Sequence, residues 1–115
     1  MTKGQIEAAI TSALTQFERD HLGRGPKEAR TFVVQDIVVV RLRGILSPAE
    51  HQITGEPGGV ELIKQMRSRL VESSSGLLHQ IVKDVTGAGV VSMHTDISAR
   101  TGERIFVFTL DRSLD

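Results

Sequence analysis

The chain has 115 residues, 14 Lys+Arg against 14 Asp+Glu, and no Cys, Trp or Tyr, which suits a single domain with one core, spanning 1–115. Without cysteine there is no disulfide framework, thiol nucleophile or Cys-ligated zinc, and zero formal charge removes the cationic field on which non-specific nucleic-acid binding depends. Apolar runs such as Ile37-Val38-Val39-Val40 fall far short of the roughly 18 to 20 residues of a membrane-spanning helix, and no secretory signal is visible, so a cytoplasmic protein is expected.

Thr2 to Leu22 reads as an amphipathic helix, with Ile6, Ile10, Ala13, Leu14, Phe17 and His21 recurring at steps of three and four. Gly23-Arg24-Gly25-Pro26 ends it. Arg30 to Val34 and Ile37 to Leu46 are rich in β-branched residues and split at Gln35-Asp36, which predicts a hairpin whose turn lacks glycine. In the second strand Val38, Val40 and Leu42 point one way and Ile37, Val39, Arg41 and Arg43 the other. Apolar residues on both faces predict cover by helices on one side and by a partner subunit on the other.

Ser47-Pro48-Ala49-Glu50 carries a capping box with proline at the first helical position, so a short helix starts at Pro48 and stops at Gly55-Glu56-Pro57-Gly58-Gly59. From Val60 to Val85, Ile63, Met66, Leu70, Leu77, Ile81 and Val85 keep helical spacing, with Leu78 and Val82 widening the stripe. The stripe stays in phase across Ser73-Ser74-Ser75-Gly76, which predicts one long helix with a weak centre and, as the alternative, two helices; Gly87 is placed to cap its end. Val90 to Ile97 and Arg104 to Leu110 form a second hairpin, with Val91, Met93, Thr95 and Ile97 on the face of Phe106, Phe108 and Leu110. The order α-β-β-α-α-β-β predicts an α+β two-layer sandwich, a four-stranded antiparallel or mixed sheet with helices on one face.

No two of His21, His51, His79 and His94 have metal-ligand spacing, so no metal site is expected. Asp36 is expected to cap the first turn and Asp96 to bond loop backbone, neither beside a nucleophile. The loop around Arg24, Lys27 and Arg30 joins glycines, whose N–H groups can converge on an anion, to charge, making it a candidate cradle for phosphate, a nucleotide or an acidic partner segment. It lacks the GxxxxGK[ST] pattern and joins helix to strand, and a turn with solvated charges explains it equally. Arg41 and Arg43 admit the same two readings. The four phenylalanines, Phe17, Phe32, Phe106 and Phe108, sit at core positions, so base stacking and nucleic-acid binding are not expected.

Three stretches together, Leu22 to Lys27, Asp36 to Glu50 and Asp96 to Leu110, resemble the MpsC-like family of small bacterial proteins. The resemblance spans nearly the whole chain, and Gly23, Arg24, Gly25, Pro26, Lys27, Asp36, Asp96, Thr101 and Gly102 are its matching positions. Ser73 to Gly76 departs from the more charged helix expected of that family. The resemblance implies a non-enzymatic, accessory or regulatory component of a sodium-translocating or inorganic-carbon transport system, working with membrane-embedded and soluble partners. It supplies no catalytic residues and no cofactor. The two-sided apolar strands add the expectation of a homodimer.

Overall fold

Thr2 opens the first helix by a reciprocal cap: its hydroxyl accepts the Gln5 N–H at 3.1 Å, and the Gln5 side chain accepts the Thr2 N–H at 2.8 Å. In the computed structural model, which describes residues 1–115, this helix is α1 (Lys3–Leu22), ended by Gly23 in the left-handed region. Its stripe Ile6, Ile10, Leu14 and Phe17 is buried, and Glu18 is buried with it.

Strands β1 (Glu28–Val34) and β2 (Ile37–Arg43) form the predicted hairpin, in register from Glu28↔Arg43 to Val34↔Ile37. Gln35 takes φ 57° in the turn, a conformation that costs an L-residue about 1–2 kcal/mol. The C-terminal segment ties this turn down: Gln35 O accepts from Leu114 N at 2.9 Å, and Asp36 O from Leu110 N at 2.8 Å. Asp36 therefore contributes its carbonyl, not the side-chain cap that the sequence suggests.

The capping box of α2 (Pro48–Thr54) forms as predicted between Ser47 and Glu50. The next segment is two helices, α3 (Gly59–Ser73) and α4 (Ser75–Thr86), so the order is α-β-β-α-α-α-β-β. The single long helix fails at Ser74, where φ is −107° and the N–H turns back to Val71 O, while the Ser73 hydroxyl takes Leu70 O. Serines offer the backbone these competing bonds, and a stripe in phase does not prevent them. The buried face is also rotated from the predicted one. Ile63, Arg67, Val71, Leu78 and Val82 are buried, while Met66 and Leu77 are exposed.

Strands β3 (Val90–Ser98) and β4 (Glu103–Leu110) complete an antiparallel sheet in the order β1-β2-β4-β3. An irregularity between Val90 and Ser92 breaks the alternation and leaves Val91 exposed. Thr31, Val33, Val38, Val40, Leu42, Arg104, Phe106, Phe108 and Leu110 form the buried face of the sheet, and the core lies between them and the helix stripes. The α+β class and the helices on one face agree with the sequence; the sheet is wholly antiparallel.

Candidate functional site

Two regions carry chemistry that the hydrophobic core does not. The first is a charged cluster inside the fold: Glu18 from α1, Glu50 from α2, Arg67 from α3 and Arg104 from β4. Residue exposures of 1% for Glu18, 1% for Arg67 and 2% for Arg104 seal three of the four from solvent. Arg67 grips Glu50 with two parallel bonds, Nε to Oε2 at 2.8 Å and Nη2 to Oε1 at 2.7 Å, and Nη2 also donates to Ile45 O at 3.0 Å. The same Glu50 carboxylate accepts the Ser47 N–H at 3.0 Å, so the cap of α2 and the anchor of α3 are one group.

The approach of α2 to α3 depends on Gly59, because a Cβ there would lie 1.7 Å from Ile53 O. Only glycine admits the close passage that brings Arg67 to Glu50. Arg67 Nη1 stands 4.0 Å from Glu18 Oε2, and Arg104 Nη1 donates to the Thr95 hydroxyl at 2.8 Å. The Arg104 guanidinium also sits 5.4 Å from the centre of the Phe106 ring. Glu18 Oε1, Arg67 Nη1 and Arg104 Nε and Nη2 make no hydrogen bond within the chain.

The environment pulls the two carboxyls apart. Burial pushes Glu18 up, with Arg104 and Arg67 opposing it. Burial pushes Glu50 up too, but hydrogen bonds from Arg67 and Ser47 outweigh it and hold Glu50 below the ordinary carboxylate range. Burial likewise draws Arg104 down, against the attraction of Glu18. Two guanidiniums and two carboxylates balance in formal charge, and they join three helices and a strand.

The second region is the sheet face turned away from the helices. The register arranges it in four rows, each read across β1, β2, β4 and β3. Val34, Ile37, Thr109 and Ser92 form the first row, and Phe32, Val39, Val107 and His94 the second. Arg30, Arg41, Ile105 and Asp96 form the third, and Glu28, Arg43, Glu103 and Ser98 the fourth. The two rows nearest the β1–β2 turn are therefore mostly apolar and the other two mostly charged. Phe32, Val34 and Ile37 are exposed at 37%, 55% and 37%, so Phe32 does not take the core position that the sequence suggests, and from α3 Lys64 reaches Asp96 at the edge of this face.

Of the predicted basic set, the structure gathers Arg30, Arg41 and Arg43 on this open face and leaves Arg24 and Lys27 in the loop before it. Arg41 Nε meets Glu103 Oε2 at 2.9 Å; Arg43 lies 3.6 Å from Glu103 and 3.7 Å from Glu28. The Arg30 guanidinium is 5.1 Å from the centre of the Phe32 ring. Arg24 is turned to Leu46 O at 3.3 Å and Gly44 O at 3.5 Å, and the Lys27 stem packs against Gly44. Gly23 closes α1 and Gly25 passes close to the Arg19 side chain, with Pro26 leading into β1.

Asp96 accepts the Ile97 N–H at 2.8 Å, a bond inside β3 and not to the loop backbone that the sequence suggests, and pairs with Lys64 at 3.3 Å. The Ile97 N–H, then Lys64, hold its carboxyl below the ordinary value. Thr101 donates its N–H to the Ser98 hydroxyl at 3.4 Å, and Gly102, at φ 70°, accepts from Ile45 N at 3.1 Å. A surface cleft of about 480 Å³ opens beside this turn between His51, Lys64 and Arg100. No group of three or more His, Asp or Glu side chains is placed to hold a metal ion.

Sequence reasoning misses the buried cluster, although the signal is there. Glu18 follows Ile6, Ile10 and Leu14 at steps of four, Arg67 lies midway between Ile63 and Val71, and Arg104 begins the alternation that runs through Phe106, Phe108 and Leu110. A charged residue at a periodic core position reads as an interruption until the other charges are seen to converge on it.

Residues 2–112 match the family described as "Na+-translocating membrane potential-generating system (MpsC)". The chain is 46% identical over 114 residues to the "Uncharacterized protein YbcI" of Bacillus subtilis (strain 168), covering 99% of this chain and 92% of that protein. It is 27% identical over 103 residues to the "Uncharacterized protein YrhF" of the same organism, covering 89% and 84%. No solved structure matches the chain.

Proposed function

The chain belongs to the MpsC family, and from that premise we propose that it is a non-enzymatic accessory or regulatory protein of the cytoplasm, binding other chains of a Na+-translocating, membrane-potential-generating system. The observation that carries the interaction reading is the open sheet face, where Phe32, Val34 and Ile37 are exposed beside rows of paired charge. An apolar patch with a charged rim is the usual mark of a protein-binding surface. No helix is long and apolar enough to cross a membrane, and in this reading a membrane-embedded partner supplies the ion path. The charged cluster serves as scaffold, since Glu18, Arg67 and Arg104 are sealed from any substrate in solvent.

The test is recovery of partners from native membranes. Affinity-tagged chain, expressed at its natural level and captured after mild detergent extraction, is expected to bring down an integral membrane protein. Its absence from salt-resistant eluates, with the tagged chain itself recovered folded, overturns the accessory role.

A further inference from the structure

We propose that the open sheet face is occupied by a second copy of this chain, related by a two-fold axis that runs parallel to the strands over the line between β2 and β4. The inference rests on the reading of that face as an interface and names its occupant and geometry; a membrane-embedded partner then meets the assembled pair on another surface. Rotation about such an axis lays β1 of one copy over β3 of the other and β2 over β4, keeping each row on its own row.

Most of the pairings that result are complementary; the exception is Arg41, which lies over Ile105 of the second copy and keeps Glu103 of its own chain as its partner. Arg30 meets Asp96 of the second copy and Arg43 meets Glu103, while Val39 meets Val107, Phe32 meets His94 and Ile37 meets Thr109. Charge divides along the same line. Counting strand residues alone, Glu28, Arg30, Arg41 and Arg43 leave the β1–β2 half formally two positive and Glu103 and Asp96 leave the β4–β3 half two negative; Lys64, which reaches Asp96 from α3 at 3.3 Å, reduces the second figure to one. The two-fold sets each half on the opposite half of the other copy, twice over.

A two-fold perpendicular to the strands lacks this property, because it sets the row of Val34 and Ile37 against the row of Arg43 and Glu103. Stacking with strands nearly aligned is also a standard way for two sheets to pack, about 10 Å apart and roughly 30° askew. Four strands at ~4.8 Å and seven residues at ~3.3 Å give a face of roughly 450 Å² in plan. Two such faces bury on the order of 1,000 Å², the lower end for a specific interface, so a micromolar dimer is expected.

Sedimentation equilibrium of the full chain from about 1 to about 200 µM brackets the dissociation expected of such an interface. Val39→Glu puts a carboxylate at the centre of the apolar contact and is expected to raise the dimer Kd at least about 100-fold. Arg30→Asp and Asp96→Lys are each expected to raise it about 10-fold, and the double reversal to return it to within about 3-fold of the wild type. Circular dichroism and thermal melting check that every variant folds, and membrane recovery is scored in parallel.

A dimer with these responses supports the proposal. A wild-type chain that stays monomeric yet recovers a membrane protein overturns the second copy and leaves the accessory role standing. A dimer indifferent to Val39→Glu, or reversals that the double variant does not rescue, overturn this face or this axis. A dimer that responds as expected but recovers no membrane protein supports the proposal and overturns the accessory role instead.

Discussion

The sheet offers arginines to two different surroundings. On its helix side Arg104 is buried at 2% exposure, close to the charges of Glu18 and Arg67. On its open side Arg41 and Arg43 share Glu103 at 2.9 and 3.6 Å, with side-chain exposures of 38% and 46%. The inner set is sealed from bulk solvent, so every lost partner leaves a charge stranded in a medium that penalises it heavily. The outer set trades each lost contact for solvent. Similar ion-pair distances therefore carry different weight, and burial decides which pair holds the fold together.

The largest effect expected from breaking the inner set is at Arg67. Arg67→Met keeps the stem's packing but strips Glu50 of its two-point partner and Glu18 of a nearby positive charge. A loss of about 3–5 kcal/mol in unfolding free energy is expected, the range for removing one member of a buried ion pair. Urea denaturation measures it, and a loss under about 1 kcal/mol, the ceiling for an exposed pair, would falsify the contrast drawn above.

The inner set also predicts a pH dependence with two limbs. Glu18 is raised above its ordinary value of 4.5 by burial. The unfolded chain therefore releases this proton first, and stability falls as pH climbs from 4.5 to the raised folded value. Glu50 is lowered despite burial because Arg67 and Ser47 hold its charged form. Its contribution is complete above 4.5 and is lost as pH falls from there through the lowered folded value. Urea midpoints from about pH 3 to about pH 8 trace both limbs. Glu18→Gln is expected to flatten the upper limb, and an unchanged slope there contradicts the assignment.

How much of this was legible beforehand depends on how local the signal is. The Ser47–Glu50 cap, the Gly23 and Gly87 helix ends and the alternation of β2 are written in a few adjacent residues, and the structure carries them as read. The break at Ser74 is local too. A stripe that keeps its phase masks it, because phase reports which face is apolar and not whether the backbone ladder is continuous. The inner ion cluster joins residues 18, 50, 67 and 104, and no spacing rule spans such separations. The basic residues around 24–43 were visible as a run. Their sharing of Glu103 was not, because that acid enters from the far end of the chain.

The smallest expected effect sharpens the comparison from the outer side. Arg41 and Glu103 have near-ideal geometry at 2.9 Å, so if distance set the energy they would rival Arg67 and Glu50. A double-mutant cycle of Arg41→Ala and Glu103→Ala isolates their coupling from what each residue does elsewhere, and about 0.2–1 kcal/mol is expected. Both side chains are partly exposed in the folded chain, so solvent already screens them. Added salt should therefore erode most of that coupling, since an exposed pair is screened far more than a buried one. The cycle is best run at protein concentrations well below the midpoint of the proposed dimer, where Arg41 faces solvent. Repeated above that midpoint, it should give a larger and less salt-sensitive coupling if a second copy covers the pair, because the same two groups then move from the outer regime toward the inner one.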